Sequence, residues 1–121
     1  MMRTQDKKYD LEERTTMFSE NTVKLCQKCP RSPVIDPVIN QLVRSATSIG
    51  ANYAEANGAA SKKDFKNKIQ ICKKESKETQ YWLRVLADAL DDDNFKVLLR
   101  PLWQEAKELT LIFAKISLNT K

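Results

Sequence analysis

Hydrophobic positions recur three and four residues apart in four separate stretches of this chain, and each stretch predicts an amphipathic helix. The first places Leu11, Thr15, Phe18, Thr22, Leu25 and Cys29 on one stripe, from an expected N-cap at Asp10 to about Lys28. Pro30, Pro33 and Pro37 forbid its continuation, and Asp36-Pro37 predicts a second start, because Asp caps and Pro is tolerated in a first turn. The second helix carries Leu42, Ala46, Ile49 and Tyr53 and ends at Asn57-Gly58, where Gly accepts the left-handed conformation common past a helix end. The third runs from a capping box at Ser61 and Asp64 to about Leu90, with Phe65, Ile69, Cys72 and Ser76 inward. Asp91-Asp92-Asp93-Asn94 ends it and caps a fourth. There a lead-in turn from Phe95 to Arg100 is expected to stop at Pro101, ahead of Leu102, Ala106, Leu109, Phe113 and Ile116.

Links this short force neighbouring helices to pack antiparallel. The expected fold is an all-α, up-and-down antiparallel four-helix bundle, one domain over residues 1–121 with a flexible start at 1–9. Across the Gly58 turn the two middle stripes are expected to pair Leu42 with Ser76, Ala46 with Cys72, Ile49 with Ile69, and Tyr53 with Phe65. Two glycines, four prolines and 31% charged residues argue against an all-β chain of this length.

The middle helices carry a second face. In RSATSIGANYAEA, residues 44 to 56, seven of thirteen residues are Ser, Ala or Gly. Arg44, Ser48, Ala51 and Glu55 lie nearly opposite the inward stripe, where a solvent face would ordinarily carry more Lys, Glu or Gln. On the third helix Ile71, Glu75, Glu78, Trp82, Val85 and Ala89 form a comparable face. Both are expected to be covered, by the outer helices or by another copy of the chain, with Arg44 opposed to Glu75 and Glu78. Asn52 joins Ser48 and Glu55 as a candidate for this polar interface. Ordinary solvated charges are the competing reading.

Charge sharpens the picture locally. The net +5 divides as eight basic against seven acidic residues up to position 60, and thirteen against nine after it. Lys62 to Lys77 alone holds seven lysines against Asp64 and Glu75. Lys62, Lys66, Lys73 and Lys77 fall within about 60° of one another on a helix, with Lys63 and Lys74 widening the patch. Such a stripe can follow successive phosphates and would bind nucleic acid by its backbone, with Tyr81 the one aromatic near its end. A solvated face that maintains solubility is the alternative.

Other chemistry finds little support. The chain has no His and no glycine-rich phosphate loop, which removes most general-base, triad and metal schemes. Cys26-Gln27-Lys28-Cys29 has only Cys72 as a further thiol and sits at a helix C-terminus, where the dipole disfavours thiolate, so it reads as packing. Asp91 to Asp93 reads as a solvated cap rather than a Mg²⁺ site. A non-enzyme is expected, with no catalytic residue, metal, cofactor or small-molecule substrate. Three cysteines and no long apolar run fit a cytoplasmic protein that does not engage a membrane.

The segments QLVRSATSIGANYAEA (41 to 56), SKKDFKNKIQICKKESKET (61 to 79) and YWLRVL (81 to 86) resemble the bacterial four-helix-bundle family of 23S ribosomal RNA intervening-sequence proteins. Every element of the family pattern, Gln-Leu-x-Arg-Ser, Ala-Asn-x-x-Glu-Ala, Ser-Lys-x-Asp-Phe, Lys-Glu and Glu-Thr-x-Tyr-Trp-Leu, is present, and the match covers about half the chain strongly and the outer helices loosely. The resemblance implies a ring-like homo-oligomer, typically a pentamer, without catalytic activity. It also implies kinship with the accessory variability determinant of diversity-generating retroelements, which binds a reverse transcriptase and nucleic acid through a basic surface. From these, self-association, RNA or DNA, and a protein partner such as a reverse transcriptase are the expected partners. A protein-interaction module that does not touch nucleic acid is the alternative function.

Overall fold

The structure is a computed structural model that describes residues 3–120, with side chains from residue 11 onward. Four helices make up the described chain: α1 (Arg3–Lys28), α2 (Ile35–Asn57), α3 (Lys62–Leu90) and α4 (Asp93–Asn119). Sequential helices pack side by side and α4 returns to α1, which closes the bundle. Diagonal helices meet through long side chains, as where Tyr53 of α2 tilts against Phe113 of α4 with ring centres 5.9 Å apart. Among the described residues no helix is long and apolar enough to cross a membrane.

The inward stripes are where periodicity puts them. Leu11, Thr15, Phe18, Thr22, Leu25 and Cys29 of α1 are all buried, as are Leu102, Ala106, Leu109 and Phe113 of α4. Leu42, Ala46, Ile49, Ile69, Cys72 and Ser76 are sealed completely at the α2–α3 seam. Two buried hydroxyls in this core return to their own helix, Thr22 Oγ1 to the Phe18 carbonyl at 2.8 Å and Ser76 Oγ to the Cys72 carbonyl at 2.8 Å, so neither donor is stranded. Arg14 clamps α1 to α4 with a bidentate fork on Glu105, at 2.9 and 2.7 Å.

Several local expectations are corrected. The helix α1 begins at Arg3, so Asp10 lies within it and is not its cap; Met1 and Met2, part of the start expected to be flexible, lie outside the described residues. The helix α2 opens at Ile35, with Ser32 Oγ accepting from the Ile35 N–H at 3.0 Å and Asp36 Oδ1 accepting from the Ser32 N–H at 3.2 Å. Ser32 and Asp36 therefore share the capping that Asp36 was expected to do alone, and Pro37 falls in the first turn, where its missing N–H costs nothing. At the other end Gly58 has φ −98°, and the left-handed residue is instead Asp91, φ 46°, closing α3. Asp tolerates this conformation better than most non-glycine residues.

Pro101 does not divide the last helix. The α4 helix is continuous from its Asp92 cap, whose Oδ1 accepts from the Asn94 and Phe95 N–H groups at 2.8 and 3.2 Å. Pro101 and Val97, whose carbonyl loses its partner N–H, are both exposed, so water can satisfy the freed oxygen. The α2–α3 register also slides by about a turn: Cys72, expected opposite Ala46, places its thiol 3.5 Å from the Ile49 carbonyl.

Candidate nucleic-acid interface and polar face

The polar residues and most of the lysines singled out on α3 fall on different sides of that helix. On one side Arg44 reaches from α2, its Nη1 donating to Glu75 Oε1 at 3.2 Å and its Nη2 to Glu78 Oε2. The Trp82 indole N–H donates to the same Glu78 oxygen at 3.0 Å, and Gln41 accepts from Arg44 Nε at 3.0 Å. One carboxylate thus joins two helices through a cation and a ring. The Trp82 bond, followed by Arg44, holds the Glu78 carboxyl below its ordinary value, against the opposing effect of desolvation. Desolvation works against the Arg44 charge too, yet Glu75 and Glu78 prevail and raise it.

Beyond this network Asn52 Nδ2 donates to the Ser48 carbonyl and hydroxyl, each at 2.9 Å, and Glu55 pairs with Lys68 at 2.6 Å. The outer helices do not cover this face. Arg44, Ala51 and Glu55 are exposed, and Ser48, Ile71, Glu78, Trp82 and Val85 are half-buried, while Glu75 is buried. The small residues have two uses that the sequence pattern did not separate. Gly50 and Ala46 let α1 approach, with Ser19 Oγ 3.3 Å from the Ala46 carbonyl. Ser45 meets Thr79 of α3 inside the core, Oγ1 to Oγ 2.9 Å.

Lys62, Lys66, Lys73 and Lys77 face away from this network, and Lys63 and Lys74 lie between, Lys74 near enough to help lower Glu78. Lys62, Lys63, Lys66, Lys74 and Lys77 are exposed and Lys73 is half-buried. None of the six is in an ion pair among the described residues, whereas Lys68, on the α2 side, is committed to Glu55. Their place in the bundle follows from two glutamines. Gln80 continues the heptad of Lys66 and Lys73 and accepts from Thr110 of α4 at 3.1 Å; Gln70 precedes Lys77 by seven and bonds Ser117 of α4 at 2.6 Å. The stripe therefore borders the α3–α4 seam.

That position adds residues the sequence reading missed. Arg84 extends the Gln70 and Lys77 heptad, and α4 contributes Lys96, Arg100, Trp103 and Lys107, with Lys107 Nζ 5.4 Å from the Trp103 ring centre. The 4, 3, 4 spacing of these four α4 residues was visible; which side of α3 they would border was not. Tyr81, expected as the aromatic near the stripe, is exposed but stacks edge-on to Trp82, ring centres 4.9 Å apart.

The three thiols are free and buried. Burial, then the neighbouring Cys29, pushes Cys26 up to about 11, and burial pushes Cys72 up to about 12, so neither is poised as a nucleophile.

A crystal structure of a protein of unknown function from the S23 ribosomal protein family of Bacteroides thetaiotaomicron is similar to this chain, with 28% identity and a TM-score of 0.76. The match spans 88% of this chain and 96% of that one. No curated protein matches. The model of the 23S rRNA-intervening sequence protein family matches residues 7–110, and with its motifs carried on α2 and α3 of a four-helix bundle, the chain belongs to that family.

Proposed function

We propose that this protein is a non-enzymatic, ring-forming homo-oligomer, a pentamer, that binds RNA through the basic face bordering the α3–α4 seam. The observation that carries the reading is a row of six lysines without ion-pair partners among the described residues, continued by Arg84 on the same helix. A solvated face would serve with its charges interleaved; this one is of a single sign and extends over about 33 Å from Lys62 to Arg84 at 1.5 Å per residue. Backbone phosphates are the matching ligand.

Assembly uses the opposite side. The Arg44, Glu75, Glu78 and Trp82 network sits among Ala51, Ile71 and Val85 on a face that α1 and α4 leave open. At about 100° per residue it lies roughly 160° around α3 from Lys62, Lys66, Lys73 and Lys77, so subunit contact there leaves these four outward, while Lys74, whose charge helps to lower Glu78, borders the contact. A ring then repeats a weak stripe several times and gains avidity.

The test is fluorescence anisotropy with structured RNA at two salt concentrations, beside light scattering for mass. Binding that weakens steeply with salt, from a species of several subunits, is expected. No binding at low salt removes the RNA reading, and a monomeric mass removes the ring. A protein-interaction module, such as an accessory subunit of a reverse transcriptase, is the second reading; Leu111 and Leu118, 61% and 77% exposed one heptad apart on α4, favour it.

A further inference from the structure

Past Gln80 the basic face opens into a groove. Leu83 and Arg84 of α3 look across it to Lys96, Leu99, Arg100 and Trp103 of α4, around a volume of about 380 Å³. The floor is apolar, since Leu83 and Leu99 are buried and the Trp103 ring is half-buried. The rim is cationic. Arg84 and Arg100 are exposed, and neither guanidinium has a hydrogen bond or ion pair among the described residues. Lys96 reaches Asp91 at 3.5 Å, and Lys107 stands over the indole.

This combination restricts the ligand. A bare anion would leave the apolar floor unused, and a purely apolar group would approach two unpaired guanidinium groups without neutralising them. A flat ring carrying phosphate satisfies both, and the volume is of the order that small-molecule sites offer, about 300 Å³ upward. Inside a duplex the base faces are stacked on one another, so away from a duplex end a base that lies on the indole must be unpaired.

We propose that the groove takes an unpaired base of single-stranded RNA, stacked on Trp103 over the Leu83 and Leu99 floor, with a flanking phosphate between Arg84 and Arg100. The proposal rests on the RNA reading and goes beyond it, because the lysines alone distinguish neither single from double strands nor one nucleotide position from the next. Continuity supports it: Gln70, Lys77 and Arg84 are one heptad apart, so a strand whose phosphates follow the lysines arrives at the groove.

Trp82→Phe leaves Trp103 as the sole tryptophan of the 121-residue chain. That variant is titrated at low salt with an unstructured twelve-nucleotide RNA and with the duplex of the same sequence. The single strand is expected to quench Trp103 fluorescence and to bind about fivefold or more tightly than the duplex. Arg84→Gln with Arg100→Gln should abolish that preference at unchanged mass and helicity, and Trp103→Phe should retain more of it than Trp103→Leu. Equal affinity for both RNAs with unchanged fluorescence overturns the groove while the RNA reading stands; binding of neither RNA by this variant or, in anisotropy, by the natural chain with Trp82 in place overturns both. Quenching by a tyrosine-containing polyglutamate peptide, with no response to RNA, assigns the groove to a protein partner and also overturns the proposal.

Discussion

Arg44 on α2 holds Glu75 on α3 at 3.2 Å, although the Glu75 side chain is only 10% exposed and that of Arg44 is 46% exposed. The pair is asymmetric, and so are its deletions. Removing Arg44 leaves a buried carboxylate with no cation, whereas removing Glu75 leaves a guanidinium that still has Glu78 and water. Arg44→Ala should therefore cost about 1–2 kcal/mol in urea unfolding, a value reduced from fully buried pairs because Arg44 is half in solvent. Adding Glu75→Gln should recover part of the loss, which a double-mutant cycle measures. Arg44→Ala should also lower the assembled mass in light scattering; an unchanged mass would take this face out of the subunit contact.

Glu78 gives that face a pH dependence of definite sign. Its carboxyl is held below the ordinary value of 4.5, first by the Trp82 N–H and then by Arg44. A depressed carboxylate stabilises the fold at pH above its unfolded value, and the contribution is lost as pH falls through the lower folded value. Unfolding midpoints followed downward from pH 6 should drop more steeply below about 4.5 for the natural chain than for Glu78→Gln. Trp82→Phe, which deletes the leading cause, should give an intermediate slope. Equal slopes in all three proteins would remove Glu78 from the acid response.

The bundle was legible because its inward stripes are long, apolar and correctly spaced, and the Arg44 contacts because a single cation and two carboxylates stood on facing helices. Beyond that ion pair, the register of two helices and the partners across their seam were not legible. The slide that brings Cys72 to the Ile49 carbonyl leaves both stripes intact and so changes nothing in either pattern. Trp103 and Arg100 meet Arg84 across a seam that no spacing within one helix encodes. Local rules also lost to context: Pro101 forbids a backbone bond but not a helix whose freed carbonyl is in water, and a left-handed closure suited to Gly58 is taken up at Asp91.

Gly50 has a use that sets the direction of its own substitutions. A Cβ built there would lie 3.4 Å from the Thr15 carbonyl oxygen and 3.6 Å from Ser19 Oγ, which is close but ordinary contact. Gly50→Ala should then fit, and because Gly weakens a helix interior it should raise stability by about 0.5–1 kcal/mol. Gly50→Leu must drive further atoms toward the α1 backbone, which cannot turn aside, and should destabilise by about 1–3 kcal/mol. Thermal unfolding of the two variants checks both signs.

The thiols should be silent until the fold opens. With Cys26 pushed up to about 11 and Cys72 to about 12, almost no thiolate is present at pH 8, and burial keeps reagents out. A disulfide reagent should titrate the three cysteines slowly in the native protein and at once in denaturant. Stability should also fall as pH rises beyond the ordinary thiol value of 9.0, because the unfolded chain ionises first. Rapid native reaction of Cys26 would reopen a redox use for its pair with Cys29.

The lysine stripe makes the last prediction, in a quantity that solvation alone would not move. Each lysine that neutralises a phosphate releases a counterion, so the slope of log affinity against log salt counts contacts. Lys66→Gln, Lys73→Gln and Lys77→Gln together should flatten that slope by roughly one per lysine and weaken all RNAs alike, since none of these contacts reads a base. Lys24→Gln on α1, an exposed lysine outside this face, should leave the slope unchanged. Stability should move by no more than about 0.5 kcal/mol in the triple variant, because these lysines have no ion-pair partners to lose among the described residues. An unchanged slope in the triple variant would show that bound RNA lies elsewhere, and the row of cations would then serve solubility alone.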